Sequence, residues 1–183
     1  MISSAMPSQK YSWWGSADKL TKGSTATDGR SSAAVAVRLA AGAFDAVLID
    51  CPPSLGPLTR SALAASSAVI VPIQCEYYPL EGLVQLLATV RHSARLNPGL
   101  AVGGVLLTMY DPAAQLSRDV EAEVRAKLAE PVFTTVIPRD PAVAEAPSHC
   151  RSVIDYAPRS PGARAYVRLA LEVLKHSLLE PKP

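Results

Sequence analysis

A chain of 183 residues is long enough for one domain with a sizeable core, and a composition of 49% apolar and 19% charged residues excludes wholesale disorder. The formal net charge of +2 is too small to argue for a polyanionic partner from bulk electrostatics. Three cysteines without a paired framework fit reduced thiols in a cytoplasm, and no apolar run approaches the roughly 18–20 residues needed to cross a bilayer.

Residues 1–32 are rich in Ser, Thr, Gly and Lys and show neither helical nor strand periodicity. They read as a divergent, mobile N-terminal tail without an apolar signal core, and Trp13 and Trp14 are its only large apolar feature. Residues 33–183 form the domain proper. The string KLTKGST at 19–25 falls short of a phosphate-binding loop. Such a loop needs G-x-x-x-x-G-K-[ST], so that glycine amides wrap the phosphates and the lysine reaches the terminal one. Here Lys22 precedes Gly23, and no glycine stands at the required spacing upstream.

Ser31 to Ala43 reads as a helix ending near Gly42. The next stretch, FDAVLIDCPPSLG at 44–56, carries the unbroken apolar run Ala46–Ile49, the pattern of a strand buried on both faces of a parallel sheet. Asp50 follows at the carboxyl end of that run, where α/β sheets bind ligands. In nucleotide hydrolases a carboxylate there helps to hold the magnesium of the triphosphate; the alternative is an aspartate that caps the following turn. Cys51 beside it reads as a small packing residue.

Thr59 to Ser67 is a short helix and Val69–Ile73 the next buried strand, with Gln74, Cys75 and Glu76 at its carboxyl end. Glu81 to His92 is an apolar-striped helix and Val102 to Thr108 the third clear strand. Gln115 to Glu130 is a helix with one solvated face. Val132 to Ile137 is a short strand, and Ala163 to Leu179 a closing helix whose stripe of Tyr166, Ala170, Val173 and Leu174 faces the core. Strands alternating with helices of this length imply right-handed crossovers and a doubly wound, mainly parallel α/β sheet of about four strands. The histidines and cysteines lack metal-ligand spacing.

Four blocks, FDAVLIDCPPSLG, VIVPIQCEYYPLEGL at 69–83, GVLLTMYD at 104–111 and VIPRDPAVAEAPSH at 136–149, resemble the ParA/Soj family. These are MinD-like ATPases that partition chromosomes and plasmids. The resemblance runs from about Ala33 to Leu179 and implies a P-loop NTPase fold, truncated here because the N-terminal loop portion is missing. It implies ATP and Mg as cofactors, with Asp50 as the catalytic, magnesium-associated acid of the Walker B type. It places Met109, Tyr110, Pro138, Arg139 and Asp140 in the walls of an adenine pocket, and Gln74 and Glu76 near the nucleotide or a dimer face. On the residues alone, Glu76 could equally sit at a helix N-terminus, and Arg139 could pair with Asp140 or Glu145.

Family function is ATP-dependent DNA segregation by a sandwich dimer, in the cytoplasm and on the nucleoid, with a ParB-type partner that stimulates hydrolysis. Without the phosphate loop this chain is not expected to be a competent ATPase alone. It would act as a ParA-like homodimer or heterodimer, as a truncated regulator of a full-length ParA or of ParB, or represent a gene fragment with a misassigned start. Nonspecific DNA contact would be weakened. Ala113, Ala114 and Ala142 stand in loops that commonly carry arginine in the family, leaving Arg151, Arg159, Arg164 and Arg168 as a basic cluster. No membrane association is implied.

Overall fold

A computed structural model describes residues 46–51, 56–76, 80–94 and 97–176. The N-terminal tail, the helix expected over Ser31–Ala43, and Tyr77 and Tyr78 lie outside the described residues. Helix α1 (Pro57–Ala65) opens with proline at its first turn, where no N–H is missed. It leads into strand β1 (Ala68–Gln74), helix α2 (Leu80–Ala94), strand β2 (Ala101–Thr108) and helix α3 (Gln115–Lys127). Short helices α4 (Pro141–Glu145) and α5 (Val153–Tyr156), with a 3-10 turn at Ala146–His149 between them, precede helix α6 (Pro161–Lys175).

Strands β1 and β2 pair in parallel from Ala68↔Ala101 to Gln74↔Thr108. Because side chains alternate across a strand, this pair buries two apolar faces. Val71 and Ile73 of β1 and Val105 and Leu107 of β2 meet Leu83 and Leu87 of α2 and Val120 and Val124 of α3. Ile70 and Leu106 point the other way, to Phe133, Ile137 and Ala165, with Leu169 and Val173 of α6. Helices therefore cover both faces of a parallel sheet, which is the doubly wound arrangement.

Glycine is required at one point in β2. The register slips between Val69 and Ile70, whose partners are Val102 and Gly104, so Gly103 is the extra residue of a bulge. Gly104 sits at φ 156°, and a Cβ there would lie 2.7 Å from the Phe133 ring. The bulge thus makes room for the aromatic side chain that fills the α6 face.

Two strand expectations are corrected. Ala46–Asp50 carries no regular element, and Leu48 is 81% exposed. An apolar run becomes a buried strand only where a ladder partner exists, and among the described residues this run has none. Val132–Ile137 is not a continuous strand but two isolated bridges, Val105↔Val132 and Tyr110↔Pro138. Its amides explain why. Phe133 donates to the Val105 carbonyl and Ile137 to the Leu107 carbonyl, both at 2.9 Å. The segment therefore advances from Phe133 to Ile137 while β2 advances only from Val105 to Leu107. The surplus residues, Thr134 and Thr135, turn their amides to the Glu172 carboxylate of α6, at 2.6 and 2.9 Å.

The expected inward stripe of α6 is also corrected. Of the four residues expected to face inward, Val173 does so, with Ala165 and Leu169 at a spacing of four, and Ala170 is half-buried, whereas Tyr166 and Leu174 are exposed together with Val167 and Leu171. Short capped elements hold this end of the chain. Asp140, Ser152 and Ser160 each cap a helix with a side-chain oxygen, and proline follows Asp140 and Ser160 at the first helical position.

Candidate functional site

The carboxyl ends of β1, β2 and the bridged segment 132–138 converge, and a cavity of about 310 Å³ opens there. β1 ends at Gln74, and the Cys75 amide still donates to the Thr108 carbonyl at 2.9 Å. β2 ends at Thr108, and Met109 then takes φ 54°, a left-handed backbone that is uncommon for a side chain of its size. This reversal places Tyr110 against the facing segment. The Tyr110 amide donates to the Ile137 carbonyl, and the Arg139 amide donates to the Tyr110 carbonyl.

Ser117, buried in the first turn of α3, ties two of these ends together. Its hydroxyl donates to the Cys75 carbonyl at 2.9 Å and accepts from the Asp111 amide at 3.3 Å. Asp111 in turn accepts from the Ala113 amide at 2.9 Å, closing an Asx turn that feeds α3. Met109, Leu116, Ala114 and Cys75 supply the apolar part of the cavity wall, and Glu76, Asp111, Ser117 and Arg139 the polar part.

Arg139 pairs with Glu76, Nη1 to Oε1 at 2.5 Å, rather than with Asp140 or Glu145. The other residues singled out in the sequence have separate places. Tyr110 packs against the main core, and Glu121, hydrogen-bonded to its hydroxyl, raises its pKa above the ordinary tyrosine value. Pro138 meets Tyr110 through the main-chain bridge. Asp140 spends both carboxylate oxygens on amides, Oδ1 on Ala142 at 3.0 Å and Oδ2 on Gly162 at 2.7 Å. Burial alone would raise its carboxyl. The Gly162 and Ala142 amides and the Ser160 hydroxyl overcome that and hold it below the usual carboxylate range.

Gln74 and Asp50 are both exposed, and neither lines the cavity. Arg151, Arg159, Arg164 and Arg168 are exposed, and none pairs with a carboxylate among the described residues. Cys75 was read with Gln74 and Glu76 at the carboxyl end of its strand, whereas Ser117, Leu116 and Ala114 were not singled out as site residues in the sequence. The available signal was their position, since the first residue past a strand and the first turn of the next helix both border the crevice of an open α/β sheet.

A profile of the AAA domain matches residues 26–102. The chromosome-partitioning ATPase Soj of Thermus thermophilus is 54% identical over 132 residues, covering 72% of this chain and 53% of that protein. The chain belongs to the ParA/Soj family. Among solved structures, cobyrinic acid a,c-diamide synthase of Mycobacterium smegmatis, crystallised with ADP and magnesium, superposes with a TM-score of 0.65 at 38% identity. The match covers 78% of this chain and 52% of that one. The septum site-determining protein MinD of Pyrococcus horikoshii, complexed with Mg-ADP, gives 0.59 at 26% identity over 85% of this chain and 60% of that one. The fold is thus the mainly parallel α/β sheet of the ParA/MinD-like P-loop NTPases. This chain spans about half the length of the curated relatives it matches.

The donor set can be tested against the ligands those neighbours hold. An apolar wall of Met109, Leu116 and Ala114, with carboxylates at Glu76 and Asp111 and a lone cation at Arg139 among the lining residues, suits a flat heterocycle that donates N–H groups. It does not suit a phosphate chain, because its acids outnumber its cation. A magnesium ion bound through phosphates and water needs one or two protein carboxylates, and Asp50 stands exposed, outside the lining of this cavity. Among the described residues no cluster of three or more acidic, histidine or cysteine ligands could hold a metal ion by itself.

Proposed function

We propose that this chain works in ATP-dependent partitioning of a chromosome or plasmid, taking the adenine end of the nucleotide into the cavity between Glu76, Met109 and Arg139. The single observation that carries this reading is the joint one: 54% identity to a chromosome-partitioning Soj, with the cavity at the carboxyl ends of the strands. Met109 and Leu116 would flank the base, Arg139 would stack on it, and Asp111 would accept from an exocyclic amine. Asp50 would stand with the magnesium, whose chemistry when bound is to neutralise phosphate charge.

Residues 1–183 contain no G-x-x-x-x-G-K-[ST] string. Phosphoryl transfer depends on amides and lysines that surround the phosphates, so these residues alone are proposed to bind nucleotide without rapid turnover. The proposed partners are a ParB-type protein and a ParA-like subunit, identical or not. Contact with nonspecific DNA is proposed to run through Arg151, Arg159, Arg164 and Arg168 and to be weak. The proposed place of action is the cytoplasm, at the nucleoid; no helix among the described residues is long and apolar enough to cross a membrane.

The test is a chromosome- and plasmid-loss assay in cells from which the gene is deleted, then restored as wild type or as Asp50→Ala. Raised loss that only the wild-type gene reverses supports the reading. Loss frequencies that do not change on deletion would overturn it.

A further inference from the structure

Glu76 and Arg139 are 63 positions apart in the chain, yet they are joined across the mouth of the cavity at 2.5 Å. Glu76 follows β1, whereas Arg139 follows the bridged segment on the far side of β2. The pair therefore reaches across the carboxyl end of β2, from β1 to the bridged segment, beside the Met109 reversal. Arg139 is 63% exposed and Glu76 34%, so this is not a buried pair that the core requires. No other cation lines the cavity among the described residues. An exposed arginine free to rotate would sample many rotamers and lose entropy when it stacks on a ligand. Its planar fork is fixed most firmly when a carboxylate holds one edge and leaves the face free.

We propose that Glu76 is a positioning residue, which holds the Arg139 guanidinium in place as one wall of the cavity and so sets the affinity for the base rather than for the phosphates. This inference rests on the reading of the cavity as an adenine site. It assigns the discrimination to a pair of side chains contributed by two different loops. One consequence is specific. Loss of Glu76 should weaken every ligand that carries the base by the same factor, with or without phosphates. It should leave any contact with phosphates alone unchanged.

The test uses the full chain and two probes, adenosine and inorganic tripolyphosphate, titrated into wild type, Glu76→Gln, Arg139→Gln and the double variant. Adenosine binding is expected to weaken about 3- to 10-fold in Arg139→Gln, on the scale of a cation–π contact. It should weaken about 2- to 5-fold in Glu76→Gln, on the scale of an exposed ion pair. The double variant should be no weaker than Arg139→Gln, since Glu76 acts only through the arginine. Tripolyphosphate binding should not change. The charge-swapped double variant, Glu76→Arg with Arg139→Glu, restores an ion pair but moves the guanidinium to the other loop. It should recover thermal stability and not adenosine affinity.

Recovery of adenosine affinity by the swap would reduce the pair to a structural clasp and overturn the proposal. Adenosine binding that is saturable but indifferent to Glu76→Gln would overturn it alone, leaving the adenine reading in place. No saturable adenosine binding by the wild-type chain removes that reading, and the positioning role with it.

Discussion

The Asp140 carboxylate accepts the Gly162 amide at 2.7 Å, joining the loop beside Arg139 to the first turn of α6. Its other oxygen accepts the Ala142 amide and starts α4. Gly162 has no room for a side chain here, because a Cβ would lie 2.5 Å from Val143 and 2.9 Å from Asp140 Oδ2. One acid thus caps two helices and fixes the loop from which Arg139 reaches the cavity. A single helix cap is worth about 0.5–2 kcal/mol, so Asp140→Ala is expected to lower stability by at least about 1 kcal/mol in urea denaturation. Asp140→Asn, which keeps one acceptor oxygen, should lose less.

The same residue sets an acid dependence. Its folded pKa lies below the ordinary carboxylate value, so the unfolded chain takes up the proton first as pH falls. The stability that Asp140 contributes is therefore complete above the unfolded pKa and is lost as pH drops through the folded one. Glu172 behaves alike. Burial pushes its carboxyl up, but the hydroxyls and amides of Thr134 and Thr135 more than compensate and hold it low. Unfolding free energy measured from neutral pH down to about pH 3 should fall less steeply in Glu172→Gln than in wild type.

Glu172→Ala separates this carboxylate's structural role from its charge. Removing the side chain leaves the Thr134 and Thr135 amides without their acceptor at the point where segment 132–138 departs from β2. A backbone donor deprived of its partner costs about 1–3 kcal/mol when buried, and less when water reaches it. The expected loss in a denaturant titration is about 1–2 kcal/mol, larger than for Glu172→Gln.

Gly104→Ala probes the bulge. The added methyl would meet the Phe133 ring at 2.7 Å and would have to occupy a φ of 156°, so a loss of about 1–3 kcal/mol is expected. Phe133→Leu in the same chain removes the contact and should recover part of that loss. Differential scanning calorimetry of the two single variants and the double variant checks the coupling.

The thiols offer a test that needs no substitution. Cys75 is fully buried, and desolvation, followed by the charge of Glu121, pushes its pKa up to about 11. Cys51 and Cys150 are exposed. A thiol reagent at neutral pH should label Cys51 and Cys150 in the folded chain and reach Cys75 only on unfolding, read by mass spectrometry of the labelled peptides.

How far the sequence carried the fold depended on whether local pattern and tertiary partner agreed. The strands at 69–73 and 102–108 and the helices from 81 and 115 were legible because their apolar period matched the faces they bury. The run at 46–49 has the same apolar character, but a strand also needs a ladder neighbour, which no local pattern reports. Segment 132–138 was misread because its two surplus residues are visible only against β2. The helix beginning at Pro141 was missed although Asp140–Pro141 is a start signal, since one turn is too short to show a period.

At the site, Glu76, Met109 and Arg139 stood out from the sequence, and the structure brings them together around one cavity. What the sequence did not reveal is that Arg139 takes Glu76 as its partner, because they stand 63 positions apart in the chain. Nor did it show that Asp140 is engaged in capping two helices, which depends on where Gly162 lands.

A nucleotide should bind at the carboxyl ends of the strands, in the cavity bordered by Glu76, Met109 and Arg139. The decisive measurement is a titration of the ¹⁵N-labelled chain with ADP and magnesium, followed through backbone amide shifts. The predicted result is saturable movement of the Cys75, Glu76, Met109, Asp111 and Arg139 amides, with Leu171 and Leu174 on the outer side of α6 unmoved. Saturable shifts confined to other parts of the chain, or no saturable shifts at all, would contradict it.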